Sequence, residues 1–214
     1  MTIFDPDCRL CPRLATFLDE VKSANPSYFC KPVPPFGDAA PRLLIVGLAP
    51  GMHGANRTGR PFTGDHAGIL LYQTLHQFGF AGAAQSISAD DGLKLLGCRI
   101  TNAVKCLPPE NKPETSEVVQ CNDFLAREIK ALPKGAVVLA LGNVAHGAVL
   151  RALGLKAKDH AFAHSARHAL PGGMTLYDSY HCSRYNTQTR RLTEAMFHGV
   201  FASIKEELSC HTST

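Results

Sequence analysis

Apolar residues along the chain fall into four short unbroken runs, separated by longer stretches in which they recur every three or four places. The runs are RLLIVG (42–47), CRITNAV (98–104), AVVLALG (136–142) and MTLYDSYH (174–181). Runs of this length bounded by turn residues predict strands buried on both faces. Helical spacing covers 66–78, 116–131 and 143–153, with one more helix over 189–208 and another near 12–23. This alternation predicts an α/β fold, a three-layer α/β/α sandwich with a central four-stranded parallel sheet. The 214 residues suffice for one well-buried core and contain no obvious linker, so a single domain over 1–214 is expected. The proline-rich stretch KPVPPFGDAAPR (31–42) reads as an extended surface connector.

In sheets of this kind ligands collect at the carboxyl ends of the strands. That rule selects the loop VGLAPGMHGANRTGRPFTGD (46–65), the segment TNAVKC (101–106) and the segment YHCSRYN (180–186). The first has neither G-x-G-x-x-G nor the lysine of a Walker loop, which counts against a dinucleotide or nucleoside triphosphate. It offers small residues at Gly47, Ala49 and Gly51, an aromatic face at Phe62 and a carboxylate at Asp65 just before a helix. Asp65 reads as a helix N-cap, the commoner job at such a place, or as a catalytic carboxylate. Phe62 reads as core or as a stacking platform, and Arg57 and Arg60 as loop braces or phosphate ligands. Asn102, near the end of an apolar strand, must find hydrogen-bond partners; it either pins a loop or reads the edge of a pyrimidine. His181 ends the last strand facing the first loop and is followed by Ser183, Arg184, Tyr185 and Asn186.

Composition narrows the classes further. The chain is 45% hydrophobic and 19% charged, and no apolar stretch approaches the roughly 18 residues of a membrane span, so a soluble protein without a membrane partner is expected. The N-terminal MTIFDPDCRLCPRL lacks a long apolar segment, so the expected location is cytoplasmic. A net charge of +4 is compatible with a polyanionic partner. Eight cysteines in a reducing compartment point to metal or packing rather than to disulfides. Cys8 and Cys11 form a C-x-x-C pair, and Cys106 and Cys121 a second pair with fourteen residues between. Four thiolates can hold zinc or an iron–sulfur cluster, spacing does not separate the two, and reduced buried cysteines are the third reading. Cys30, Cys98, Cys182 and Cys210 are assigned to packing.

With these positions assembled, the sequence resembles the uracil-DNA glycosylases, and specifically the type B (fifth) family of bacteria and archaea. The resemblance rests on GLAPGMHGANRTGRPFTGD, on HCSRYN after the last strand, and on C-x-x-C together with KCLPPENKPETSEVVQC. It spans nearly the whole chain. It implies removal of uracil and related deaminated bases from DNA, by an expected monomer, and a [4Fe-4S] cluster on Cys8, Cys11, Cys106 and Cys121. It also implies that Phe62 stacks on the flipped base, Asn102 bonds its Watson–Crick edge and His181 donates to the uracil oxygen that gains charge. The residues after His181, Ser183 to Asn186, would contact the DNA. Ala49 would lie beside the base, where other relatives place an acidic residue or amide to position water, which leaves Asp65 as this loop's remaining carboxylate. The family usually has proline after the histidine and often two residues further on; here Cys182 and Arg184 predict a less rigid, more basic loop. A non-catalytic binder of deaminated-base DNA and a nucleotide-metabolising α/β enzyme are the competing expectations.

Overall fold

The computed structural model describes residues 4–210. A first helix, α1 (Pro12–Ala24), opens with proline in its first turn and buries Leu14, Ala15, Leu18 and Val21. The sheet contains β1 (Phe36–Gly37), β2 (Leu43–Gly47), β3 (Cys98–Asn102), β4 (Val137–Leu141), β5 (Arg167–Ala169) and β6 (Thr175–Ser179), in the order β1-β3-β2-β4-β6-β5. The four expected strands form its parallel centre, β3-β2-β4-β6. Two short strands absent from the sequence reading, β1 and β5, add antiparallel edges, so the sheet has six strands.

The period of two along each central strand explains the layers. Leu43 and Ile45 on β2, with Val137 and Leu139 on β4, face a core shared with α3 (His66–Gln77) and α7 (Glu194–Cys210). Leu44 and Val46, with Val138 and Ala140, face the other way, against Leu125 and Ile129 of α4 (Thr115–Lys130) and Val149 of α5 (Asn143–Ala152). Apolar side chains on both faces are what a strand between two helix layers requires.

The path through the sheet matters for the site. From β2 the chain moves to one side for β3, then crosses to the other for β4 and β6, so strand order reverses between β2 and β4. A crevice opens at the carboxyl ends of strands at such a point. The loop after β2 carries a one-turn helix, α2 (Ala55–Thr58). Strand β6 stops at Ser179, two residues short of His181; a short helix, α6 (Arg184–Gln188), follows it, and the helix expected over 189–208 begins later, as α7.

Candidate functional site

A cavity of about 570 Å³ lies at this crevice and draws on three segments. Ala49, His53, Phe62 and Asp65 come from the loop after β2, Asn102 from the end of β3, and His181, Ser183 and Arg184 from the segment after β6. A larger hollow of about 750 Å³ lies at the amino ends of the strands, between Arg127, Lys130, Lys134 and aliphatic side chains. Only the first brings together the residues singled out in the sequence.

Asn102 is buried at the last position of β3, and its Oδ1 has no hydrogen-bond partner among the described residues. A buried amide oxygen left unpaired costs about 1–3 kcal/mol, so the fold holds an acceptor in readiness beside the cavity. Gly47 makes room for it: a Cβ there would lie 2.5 Å from Asn102 Oδ1 and 2.7 Å from the Phe62 ring. Phe62 is buried, adopts a left-handed backbone (φ 56°) and packs near-parallel to His181, with ring centroids 5.8 Å apart and planes 25° apart. A left-handed phenylalanine is a local strain of about 1–3 kcal/mol, of the kind that surrounding structure must impose. Burial pushes the His181 pKa down to about 4, so its imidazole is neutral at ordinary pH. A neutral imidazole can donate one N–H without already carrying charge.

Asp65 sits at the N-cap position of α3, yet its side chain makes no cap hydrogen bond to that helix. Its Oδ2 instead accepts from the Ala55 N–H of α2 at 3.3 Å. Gly54 leaves the necessary space, since a Cβ there would fall 1.8 Å from Asp65 Oδ1. Burial raises the Asp65 pKa, against opposing effects of the Ala55 N–H, Arg57 and His53. The carboxylate is therefore turned away from α3 and toward the first N–H of α2, at the wall of the cavity that it lines.

The loop is held by Arg60, a brace and not a free cation. Its guanidinium reaches Asp91 at 2.6 Å, the Ala89 carbonyl at 2.6 Å and Ser86 at 3.0 Å, and lies over the Phe36 ring. Burial pushes the Asp91 pKa up, but Arg60 and three backbone N–H groups outweigh it and hold the value at about 2. That depressed pKa contributes stability above the ordinary carboxylate range, lost as pH falls toward 2. The Arg60 side chain is only 6% exposed, whereas Asp91 lies at the surface, so Arg60→Met removes charge-assisted bonds that brace the loop. A loss of about 1.5–3 kcal/mol is expected at neutral pH, measured by urea unfolding.

Beyond His181 the chain is firmer than two missing prolines suggest. Cys182 is fully buried in the core, Ser183 Oγ accepts from the Asn186 N–H to cap α6, and Asn186 Nδ2 donates to the His181 carbonyl at 2.8 Å. Ser183 and Asn186 thus have internal partners, whereas Arg184 and Tyr185 are exposed, Tyr185 by 70%. His66 on α3 reaches Thr187 of α6 at 3.3 Å and ties this segment to the first loop.

Cys8, Cys11, Cys106 and Cys121 line one further cavity, walled by Leu14, Ala15, Val104 and Phe124. All four are free thiols. Burial, and then the neighbouring Cys121, Glu117 and Cys8, push the Cys11 pKa up to about 11. The Lys105 backbone N–H points at Cys121 Sγ, 3.3 Å away. Arg13, two residues after Cys11, pairs with Glu117 of α4 through bonds of 2.8 and 2.7 Å and holds the two cysteine-bearing segments together. The excursion between Cys106 and Cys121 also supplies Asn111 to the wall of the first cavity. Asn111 and His53 escaped the sequence reading because a lone polar residue outside a long helix or strand has no period, and His66 because it opens a helix whose period reports only its apolar face; His53, inside the quoted loop motif, carried the one usable signal.

The profile of the Uracil DNA glycosylase superfamily matches residues 34–205. The chain is 47% identical over 203 residues to the type-5 uracil-DNA glycosylase of Thermus thermophilus, covering 92% of each. It is 44% identical to that of Pyrobaculum aerophilum, covering 87% of this chain and 83% of the relative. With that of Mycobacterium leprae the identity is 42%, over 93% of this chain and 90% of the relative. A match across most of the chain, on this sheet and with the loop residues converging at its carboxyl edge, places it: the chain belongs to the uracil-DNA glycosylase superfamily, alongside the type-5 members.

Proposed function

We propose that the protein excises uracil from DNA by hydrolysing the N-glycosidic bond, as a monofunctional glycosylase of base excision repair. The observation that carries this reading is the unpaired Asn102 Oδ1 beside a half-buried, neutral His181 and the Phe62 ring. A flipped base stacks on Phe62, and its N3–H donates to Asn102 Oδ1, which ends the cost of leaving that acceptor unpaired. As the bond breaks, negative charge grows on the base oxygens. His181 meets it with an N–H hydrogen bond, and its low pKa leaves the ring a neutral donor in the resting state. The sugar becomes oxocarbenium-like. Asp65, the carboxylate on the cavity wall, stabilises that cation and takes a proton from the attacking water, while Ala49 leaves space beside the base. Arg184 and Tyr185, exposed next to the cavity, contact the strand and fill the gap that flipping leaves, with Ser183 and Asn186 holding the segment in shape. None of the lysines lines the cavity, so no Schiff base forms and the strand stays intact. Incubation with uracil-containing duplex is expected to yield free uracil and an unbroken abasic strand, with free deoxyuridine nucleotides untouched. Turnover of the nucleotide without DNA would replace this reading with a nucleotide-metabolising one.

The cysteine cavity fits an iron–sulfur cluster. Its donor set is all thiol, which selects soft metals, and the four cysteines line one cavity walled otherwise mainly by apolar side chains. A [4Fe-4S] cluster held by Cys8, Cys11, Cys106 and Cys121 supplies a covalent tie between the N-terminal segment and the 106–121 excursion. Lys105 N–H offers the Cys121 sulfur a hydrogen bond, and Asn111 connects the excursion to the base cavity. Purified protein is expected to be brown, with broad absorbance near ~400 nm, and Cys11→Ala to lose iron and melting temperature together. A colourless, zinc-loaded protein would contradict the cluster.

A further inference from the structure

A second group of ligating side chains lies away from both sites, and neither the proposed chemistry nor the cysteines use it. His146 of α5, His168 of β5 and Asp178 of β6 place three ligand atoms within 4.8 Å of one another. Asp178 is fully buried; the His146 and His168 side chains are 3% and 13% exposed. His146 Nδ1 faces Asp178 Oδ1 at 2.8 Å, and His168 Nε2 faces Asp178 Oδ2 at 3.1 Å. The other His146 nitrogen, Nε2, lies 2.8 Å from the His160 carbonyl oxygen, which can only accept. Nε2 therefore carries the hydrogen, and a neutral His146 turns the lone pair of Nδ1 toward a carboxylate oxygen. Two acceptors do not sit at that distance unless something positive stands with them, either a second proton on the ring or a metal ion.

We infer that His146, His168 and Asp178 form a binding site for a divalent transition metal of zinc's class. Two imidazoles and one carboxylate favour zinc over calcium or magnesium, which take oxygen ligands. Ligands about 2.0 Å from a tetrahedral ion lie roughly 3.3 Å apart; the two histidine–carboxylate spacings, 2.8 and 3.1 Å, are close to this, and all three ligand atoms lie within 4.8 Å of one another. Ligating histidines commonly donate their second N–H to a carbonyl or carboxylate, which is what His146 does to His160. Binding costs no redox change: the ion takes the Nδ1 lone pair of His146, the Nε2 lone pair of His168 and a carboxylate oxygen, and any proton on those two nitrogens leaves to solvent or moves to the other ring nitrogen. The ion joins α5, the β5 edge and β6 three residues before His181, fixing the strand from which that histidine projects.

The test is zinc binding by the iron-containing protein, measured as metal per chain and as a shift in melting temperature, for wild type, His168→Gln and Asp178→Asn. Zinc taken by cysteines is common to all three proteins and cancels, so the result is independent of the glycosylase reading and of the cluster. The expected result is one more zinc per chain in wild type than in either variant, with equal iron. At about a hundredfold excess over Kd, zinc should raise the wild-type melting temperature by roughly 5–10 °C and leave the variants unmoved. Cobalt in its place should give visible bands without added thiolate absorption in the near ultraviolet. Equal zinc in all three proteins, or no wild-type shift, overturns the site and assigns His146 a second proton instead. His168→Gln, at a partly open edge, keeps the comparison valid should Asp178→Asn fail to fold.

Discussion

His181→Ala is expected to lower the single-turnover rate of uracil excision by about 10²–10³-fold while leaving uracil-DNA binding largely intact. The magnitude is that of one preorganised donor removed from a site where charge develops. The split between binding and rate follows from when the bond matters. Before cleavage the uracil oxygen is a neutral carbonyl, and a neutral imidazole adds little to its binding. In the transition state the base is becoming an anion, and the same hydrogen bond becomes charge-assisted. His181 can act at physiological pH without titrating, because burial holds its pKa at about 4. Its contribution should change only as pH falls through that value. Equal losses of binding and rate, with a lower melting temperature, would show instead that the Phe62–His181 stack is structural.

Asp65→Asn should have the second large effect, about 10²–10⁴-fold on the rate, the usual span for a positioned general base. Burial places the Asp65 pKa above its ordinary 3.8. If its ionised form does the work, the wild-type rate falls as pH drops through that raised value, and the asparagine variant loses this acid limb. The sign for stability is opposite. A raised carboxyl pKa means the fold disfavours the charged form, so the stabilising contribution is present at low pH and lost as pH rises through the folded pKa. Asp65→Asn should therefore be at least as stable as wild type at pH 7, by thermal melting. A helix cap would behave the other way, losing about 1 kcal/mol on substitution. Gly54→Ala offers an independent check, since its methyl would occupy the place of Asp65 Oδ1 and should reproduce the rate loss with the carboxylate still in the sequence.

How far these residues could be read in advance follows from the range of the forces that place them. The four central strands were legible to within two residues because each is a short, largely buried segment of five consecutive residues, apolar on both faces in β2 and β4. The edges β1 and β5, of two and three residues, are too short for any period, and only their neighbours define them. Phe62, Asn102 and His181 could be proposed together because the strand-end rule sends them to one place. The unpaired state of Asn102 Oδ1 could not, since it depends on Gly47 across the sheet. Asp65 shows the limit most clearly: its position before α3 reads as a cap, while its direction is decided by the space at Gly54 and the N–H of Ala55. Arg60 likewise finds Asp91 thirty-one residues away, and His146 meets Asp178 thirty-two away, pairings with no local signature.

The central claim is that this cavity breaks a glycosidic bond, beyond merely holding a damaged base. The most direct test follows duplex DNA with a single labelled uracil opposite guanine, mixed with excess iron-loaded protein and quenched over time. The expected result is uracil released one for one with the DNA, leaving an abasic strand that breaks only on later alkaline treatment. Uracil still attached to DNA that the protein has bound, in amounts unaffected by His181→Ala, would contradict it and make the protein a binder of deaminated-base DNA.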